Sequence, residues 1–352
     1  MNEAKPFQPV TEQRWLLSIL LVSSPVLLAA ALIFGSITLP LAEVLAVLKG
    51  ALSGQLDIVQ QQFPRTSAIL LYIRLPRVIA AMLAGSALGL AGAVSQGLFR
   101  NPLASPDILG ISAGSSLGAV IAITTHIAVL HPLIIPGTAI TGALLTATLI
   151  YLLAMRSSLS RQLLFILLAG LALSSLLNGV ISATLLLAHE YEISQFIFWT
   201  MGALSGRLWS HVLWPAPFIL LIGGWLLTRS HSLNLLALGD HNAHGMGLNV
   251  VATQRLLLLS SAALTALAIA IAGPVGFIGL MIPHLVRLIF GSDHRLLLPI
   301  SAFLGALFLL LCDLLGRILI APHEIKVGII TSLIGGSYFL FLIFRIQQRG
   351  RL

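Results

Sequence analysis

About ten stretches of roughly twenty apolar residues, nearly free of charge, follow one another along this chain, and that recurrence decides the fold class. A helical run of that length matches the hydrocarbon core of a bilayer. A spanning segment is helical because each backbone N–H and C=O must find its partner within the segment. Charged residues make up 9% of the chain and the mean hydropathy is +1.03, against about 25% charged residues in soluble domains. The chain reads as an all-α integral membrane protein. Spans fall near 15–36, 72–98, 108–126, 132–155, 162–188, 211–228, 252–272, 277–291, 296–320 and 327–346, which leaves no sizeable soluble domain in 352 residues. The expected organisation is a tail at 1–14, a transmembrane domain at 15–346 with a polar loop at 230–250, and a tail at 347–352.

Two further features narrow the reading. Trp15 to Phe34 exceeds the apolar core of a secretory signal, so it is expected to stay as the first helix. The single cysteine, Cys312, rules out an intrachain disulfide and lies in an apolar run, where a small hydrophobe is the simplest reading.

A net charge of +8 would suggest nucleic acid for a soluble chain; here it serves first as a topology signal. An even number of spans puts both ends on one side. If that side is the cytoplasm, twelve of the nineteen Lys and Arg face inward. The outward exceptions are Lys49, Arg65, Arg74, Arg77, Arg207, Arg317 and Lys326, and they ask for a reason.

Sliding the chain on itself by 181 residues aligns Arg74 with Arg255, Gly92 with Gly273 and Pro102 with Pro283. The copies start five crossings apart, which makes them an inverted repeat of the kind found in membrane transporters. Channels and secondary transporters share this feature, so it indicates transport without naming an energy source.

Intramembrane carboxylates, the usual carriers of proton or ion coupling, are almost missing. Asp313 precedes Arg317 by four residues, so the two share a helix face and can neutralise each other; a buried structural pair is preferred over a relay because no second carboxylate accompanies it. No G-x-x-x-x-G-K-[ST] motif is present, so ATP energy would have to come from another subunit. Asp240, His241 and His244 are read as a solvated turn rather than a metal site, and no H-E-x-x-H supports a protease. The chain is expected to catalyse nothing and to hold no metal or cofactor itself.

From Ile73 the sequence runs IRLPRVIAAMLAGSALGLAGAVSQGLFRNPLASPDILG, in which Gly85, Gly89 and Gly92 allow close helix approach and Arg100-Asn101-Pro102 breaks the helix. A second arm, Gly273-Pro274-Val275-Gly276-Phe277 followed by Ile282-Pro283-His284-Leu285-Val286-Arg287, repeats the plan, and Glu324-Ile325-Lys326-Val327-Gly328 leads to Gly335-Gly336. Together these segments, from about Arg74 to Arg345, resemble the FecCD family, the permease subunits of ABC importers for ferric siderophores, haem and cobalamin. The chain departs from that pattern at Lys326 and Ser337, where the family usually or often has Pro.

The resemblance implies ten helices per subunit, two permease subunits flanking a central path, two cytoplasmic ATPase subunits that bind ATP and Mg, and a substrate-binding protein docking outside. It implies that Arg74, Arg77 and Arg317 receive acidic residues of the binding protein, as forked guanidinium groups can; interfacial snorkelling is the alternative. It makes the polar loop the ATPase coupling loop, with Leu235, Leu236, Leu238, Met246 and Leu248 packing, Gly239 and Gly247 turning the chain, and Asp240 at the joint; an amphipathic hairpin lying on lipid competes with this reading. Gly170, Ser174, Asn178 and Ser182 recur at four-residue steps on one helix face and would line the path, with Thr331, Ser332 and Gly335 opposite. Packing by small residues explains that spacing nearly as well. Ser157 and Ser158 are candidates for a cytoplasmic gate. The favoured function is import of an iron complex, a ferric siderophore first, across a bacterial inner membrane with both termini cytoplasmic. Haem or cobalamin import, or an ATP-independent secondary transporter, are the alternatives.

Overall fold

The computed structural model describes residues 10–154 and 162–349, and among these every regular element is helical. The first span is α1 (Val10–Ile33), followed by three short helices the hydropathy did not separate: α2 (Leu41–Leu52), α3 (Leu56–Gln62) and α4 (Pro64–Ala68). A π-helical turn, Ile69–Arg74, joins α4 to α5 (Leu75–Leu98). A single helical turn at Pro106–Leu109 precedes α6 (Ile111–Thr124), and α7 (Ile134–Ala154) and α8 (Gln162–Leu186) follow. The remainder is α9 (Glu190–Thr200), α10 (Trp209–Leu213), α11 (Pro215–Thr228), α12 (Ser230–Ala237), α13 (Asp240–Gly245), α14 (Val250–Ala272), α15 (Ile278–Phe290), α16 (His294–Ile318) and α17 (Val327–Arg349). Seven helical stretches are long and apolar enough to cross a membrane, and shorter apolar helices lie at Ser18–Ile33, Ile111–Thr124 and Ile278–Phe290, matching the ten expected spans in number and place.

Helix α5 is the axis of the subunit, packed on α14, α15 and α16, with 78% of its apolar window buried. Glycine makes this possible. A Cβ added at Gly85 would stand 2.2 Å from the carbonyl oxygen of Gly305, one at Gly89 2.2 Å from that of Ser301, and one at Gly92 1.9 Å from that of Gly279. These backbones touch, so the helices gain dispersion contact that side chains would prevent, which matters in lipid where apolar burial drives little association. The crossing of α6 and α7 is built likewise, with Gly118 against the Thr138 carbonyl and Gly142 against that of Gly114. At the other extreme, α8 has only 17% of its window buried, so most of its apolar surface needs lipid or another chain.

The repeat halves run antiparallel: α5 ends at Leu98, and Arg100 just beyond it pairs with Asp240 shortly before α14 begins its return. Each long helix is followed by irregular backbone, 99–110 after α5 and 273–277 after α14, and then by a short apolar helix. Gly92 itself stays helical, whereas its repeat counterpart Gly273 ends α14 with φ +73°. The copies therefore break at different depths. Cys312 is buried and free.

Candidate functional site

At one end of the bundle α5, α16 and the turn before α17 bring together the three arginines singled out from the sequence. They do not project as free forks: Arg74, Arg77 and Arg317 are 5%, 7% and 3% exposed. Arg77 donates from Nε to both oxygens of Asp313 at 3.0 and 3.1 Å and from Nη1 to both oxygens of Glu324 at 3.0 Å, a bidentate hold on two carboxylates at once. Arg317 Nε lies 3.2 Å from Asp313 Oδ2. Asp313 is thus not a self-contained pair with Arg317, as its spacing suggested; it is shared with a cation 236 residues away in sequence.

Arg74 and Arg317 have a second task. The last carbonyls of a helix lack intrahelical partners, and cations are favoured there. Arg74 donates to the carbonyls of Leu32, Ile33 and Ile37, and Arg317 Nη1 to that of Ala31 at 3.0 Å, so together they satisfy the C-terminal end of α1. A cavity of about 120 Å³ opens among Gly35, Ile73, the three arginines and Glu324. Arg317 Nη2 has no hydrogen-bond partner, and three guanidinium groups face two carboxylates, so the cavity retains one positive charge in excess. Its most accessible acid is Glu324, whose side chain is 27% exposed against 2% for Asp313.

At the opposite end, α12 and α13 form the helical hairpin expected at 230–250, turned at Gly239 with φ +102° and Gly247 with φ +85°. Its apolar residues divide differently from expectation. Leu236 is fully buried with Leu233 against the subunit core, and Leu235 and Leu248 pack on that core in part, because α12 lays one face onto α5 and α16. Only Leu238 and Met246 of the five remain exposed, at 55% and 62%. Asp240 accepts from Arg100 of α5 and from Gln254 of α14. Asn234 Nδ2 donates to Asp293 Oδ1 at 2.7 Å, while Asn234 Oδ1 accepts from the backbone N–H of His294 at 3.0 Å. The backbone N–H of Arg295, then the Asn234 amide, hold the Asp293 carboxyl below its ordinary range. A cleft of about 650 Å³ lies beside Asp240, His241, His244 and Leu248. Among the described residues no cluster of His, Cys, Asp or Glu has metal-binding geometry.

Between the two ends, the face of α8 is split. Gly170 is buried near the Gly110 turn and Ser174 is half-buried against it, whereas Asn178 and Ser182 are exposed. Of the three candidates on α17, only Ser332 is open. Thr331 is fully buried and donates to the Gly328 carbonyl, and a Cβ at Gly335 would stand 2.3 Å from Phe277 Cβ. Gly335 faces Phe277 of the second irregular arm and Thr331, one turn earlier, is fully buried, so both are packing positions. Ser332 borders a cavity of about 400 Å³ with Thr200, Pro274 and Gly276. Ser157 and Ser158 lie outside the described residues.

The sequence profile of the FecCD transport family matches residues 20–345. This chain belongs to the FecCD family. The hemin transport system permease HmuU of Yersinia pestis is 42% identical over 287 residues, 80% of this chain and 84% of that one. The Fe(3+) dicitrate transport system permease FecD of Escherichia coli is 38% identical, covering 79% and 86%. A solved structure described as an inward-facing metal-chelate type ABC transporter superposes with a TM-score of 0.79 at 31% identity, over 93% of this chain and 99% of that chain. As a FecCD member the chain is a multi-pass ABC permease, a transport subunit rather than an enzyme.

The family pattern leaves two features unexplained by residue type alone. The carbonyl-capping role of Arg74 and Arg317 depends on where α1 ends, which no motif marks. Glu324 was legible only as part of a family signature, although a carboxylate facing an arginine-rich end is itself a signal.

Proposed function

We propose that this chain is the membrane subunit of a bacterial inner-membrane ABC importer that moves an iron complex, a ferric siderophore first among them, into the cytoplasm. Two copies, or this chain and a related one, flank the path; two ATPase subunits bind ATP and Mg and seat on the 230–250 hairpin; a substrate-binding protein docks at the Arg77 end. The observation that carries the reading is the pairing of two irregular backbone arms at membrane depth with a helical hairpin, α12 and α13, at the end opposite the arginine cluster. Unwound backbone inside a membrane protein persists where it is buried in protein or lines a water-filled cavity. A hairpin presenting Leu238 and Met246 offers apolar contacts for a groove in a partner.

Docking at the Arg77 end works here by exchange. An incoming carboxylate is drawn by the excess positive charge of the cluster and reaches the buried Arg77 only by taking the place of Glu324, the cluster's most accessible acid. Haem is the second substrate reading, supported by the 42% identical relative named for hemin transport. The deciding experiment is uptake of labelled ferric siderophore, haem and cobalamin by cells lacking this gene, with and without the gene restored. ATP-dependent siderophore uptake that returns with the gene supports the proposal; return of haem or cobalamin uptake alone moves the substrate, and flux indifferent to ATP depletion overturns the ABC reading.

A further inference from the structure

The sequence presents the path wall as uncharged, because Asp107 falls between two predicted spans and reads as part of a connection. The structure places it elsewhere. The Pro106–Leu109 turn is wedged among α5, α6, α7, α8 and α14, and a Cβ at Gly110, its last neighbour, would stand 2.9 Å from Ser174 Oγ on α8. The Asp107 carboxylate is nevertheless exposed, and it borders a cavity of about 260 Å³. That cavity is lined by both arms of the repeat, Ser105 and Asp107 from the first and Gly276, Phe277 and Leu280 from the second, with Thr265 of α14 between them. It shares Gly276 with the 400 Å³ cavity beside Ser332, so the two form successive chambers along one wall. In secondary transporters built on inverted repeats, discontinuous segments of the two halves meet at the cavity that takes the substrate, and the same juxtaposition is present here.

Asp107 accepts one hydrogen bond, from Ser112 Oγ, and among the described residues no cation pairs with it. An ionised carboxylate at membrane depth without a cation is costly unless its site is wet, and a wet carboxylate still sets the potential of the chamber around it. We infer that Asp107 is a charge-selecting residue of the path, favouring chelates that are neutral or carry cationic or hydrogen-bond-donor groups and slowing those that carry free carboxylates. This rests on the importer reading above and deepens it from an iron complex to a chelate of that charge class. A chamber of 260 Å³ admits one arm or edge of a bulky chelate, and the effect belongs to translocation rather than to capture by the binding protein.

The test uses the complete importer, with its ATPase subunits and binding protein, in proteoliposomes. The probes are ferric trihydroxamates with one iron-binding core and a pendant amine, amide or carboxylate. Maximal uptake rates are compared at saturating binding protein, so that differences in capture drop out. The wild type is expected to move the amine and amide forms faster than the carboxylate form by on the order of tenfold, the scale of one nearby charge in a partly wet site. Asp107→Asn keeps the size and the Ser112 bond and is expected to bring the three rates within about twofold of one another. Ser112→Ala removes the hydrogen bond without changing charge and is expected to preserve the ranking. Equal ratios in wild type and Asp107→Asn, a wild type that prefers the carboxylate form, or a Ser112→Ala change as large as that of Asp107→Asn would each overturn the inference. If the wild type moves none of the three while haem or cobalamin uptake is ATP-dependent, the siderophore reading falls and this inference with it; unaltered ratios in a working importer overturn the inference alone.

Discussion

Replacing Asp313 by Asn isolates the energetics of the arginine cluster. The residue is 2% exposed and is approached by Arg77 Nε and Nη2 and by Arg317 Nε within 3.2 Å. In the variant Arg77 keeps Glu324, but Arg317 loses the one carboxylate in contact with it among the described residues and retains neutral carbonyls of α1. One buried guanidinium is therefore left without its counter-charge, and removal of one partner from a buried pair costs about 3–5 kcal/mol. The lower end applies, about 3 kcal/mol, because the carbonyl bonds persist. Glu324→Gln removes a carboxylate whose side chain is 27% exposed and leaves Arg77 on Asp313, so the expected loss is about 1 kcal/mol or less. Reversible unfolding in mixed detergent micelles, followed by helical circular dichroism, measures both. Joint replacement of Arg77, Asp313 and Arg317 by apolar residues of similar size should recover part of the loss, since both buried cations in contact with Asp313 go with it, Arg74 keeps the α1 carbonyls and Glu324 is left partly in water. An Asp313→Asn variant as stable as Glu324→Gln would refute the reasoning, because it would mean that the cluster is solvated enough to behave as a surface pair.

Three further expectations follow from packing and from the hairpin. Gly92→Ala drives a methyl into the Gly279 backbone and should cost several kcal/mol or abolish folding, whereas Gly224→Ala, where nothing lies within 4 Å, should be neutral or stabilising by about 0.5 kcal/mol; the same unfolding assay separates them. Arg100→Asp should weaken the tie between α5 and the hairpin, and adding Asp240→Arg should restore ATP-coupled uptake if the contact is electrostatic in origin. Leu238→Glu with Met246→Glu should reduce ATPase co-purification at least tenfold while leaving permease yield unchanged, because both side chains are exposed; the matched change Leu236→Glu should reduce the yield itself.

How much of this the sequence disclosed follows from what each feature depends on. The spans and the central place of α5 were readable because hydropathy and the Gly85, Gly89 and Gly92 register are local properties of one segment. The exposure of a given side chain was not. Thr331 and Ser332 are adjacent and chemically alike, yet one is fully buried and bonded to its own helix while the other borders a cavity with Thr200, Pro274 and Gly276, residues far away in sequence. The arginines were recognised as outliers to the charge rule, but the groups that hold them are the spent end of α1 and carboxylates on α16 and the following turn. Only the tertiary crossing brings those together. Asp107 is hidden from hydropathy for a related reason: a break between spans reads as an exit from the membrane, and a helical turn wedged among five helices is the case in which that inference fails.

The same crossing also limits how the subunit can move. Helices α5 and α16 are joined at one end through Arg77 and Asp313 and, at the other, each is tied to the hairpin, α5 by Arg100 to Asp240 and α16 by Asn234 to Asp293 and His294. Between those corners their backbones touch at Gly85 with Gly305 and at Gly89 with Ser301, leaving no side-chain layer that could shear. A close-packed pair pinned at both ends moves as one body. Displacement of the hairpin must then be taken up elsewhere, and the exposed α8 and the irregular arms at 99–110 and 273–277 are the parts with room to adjust. A thiol crosslinker joining partly exposed positions of α5 and α16 beside the glycine contacts should therefore leave uptake intact, while one that ties α8 to the 99–110 arm, where Ser174 meets Gly110, should arrest it.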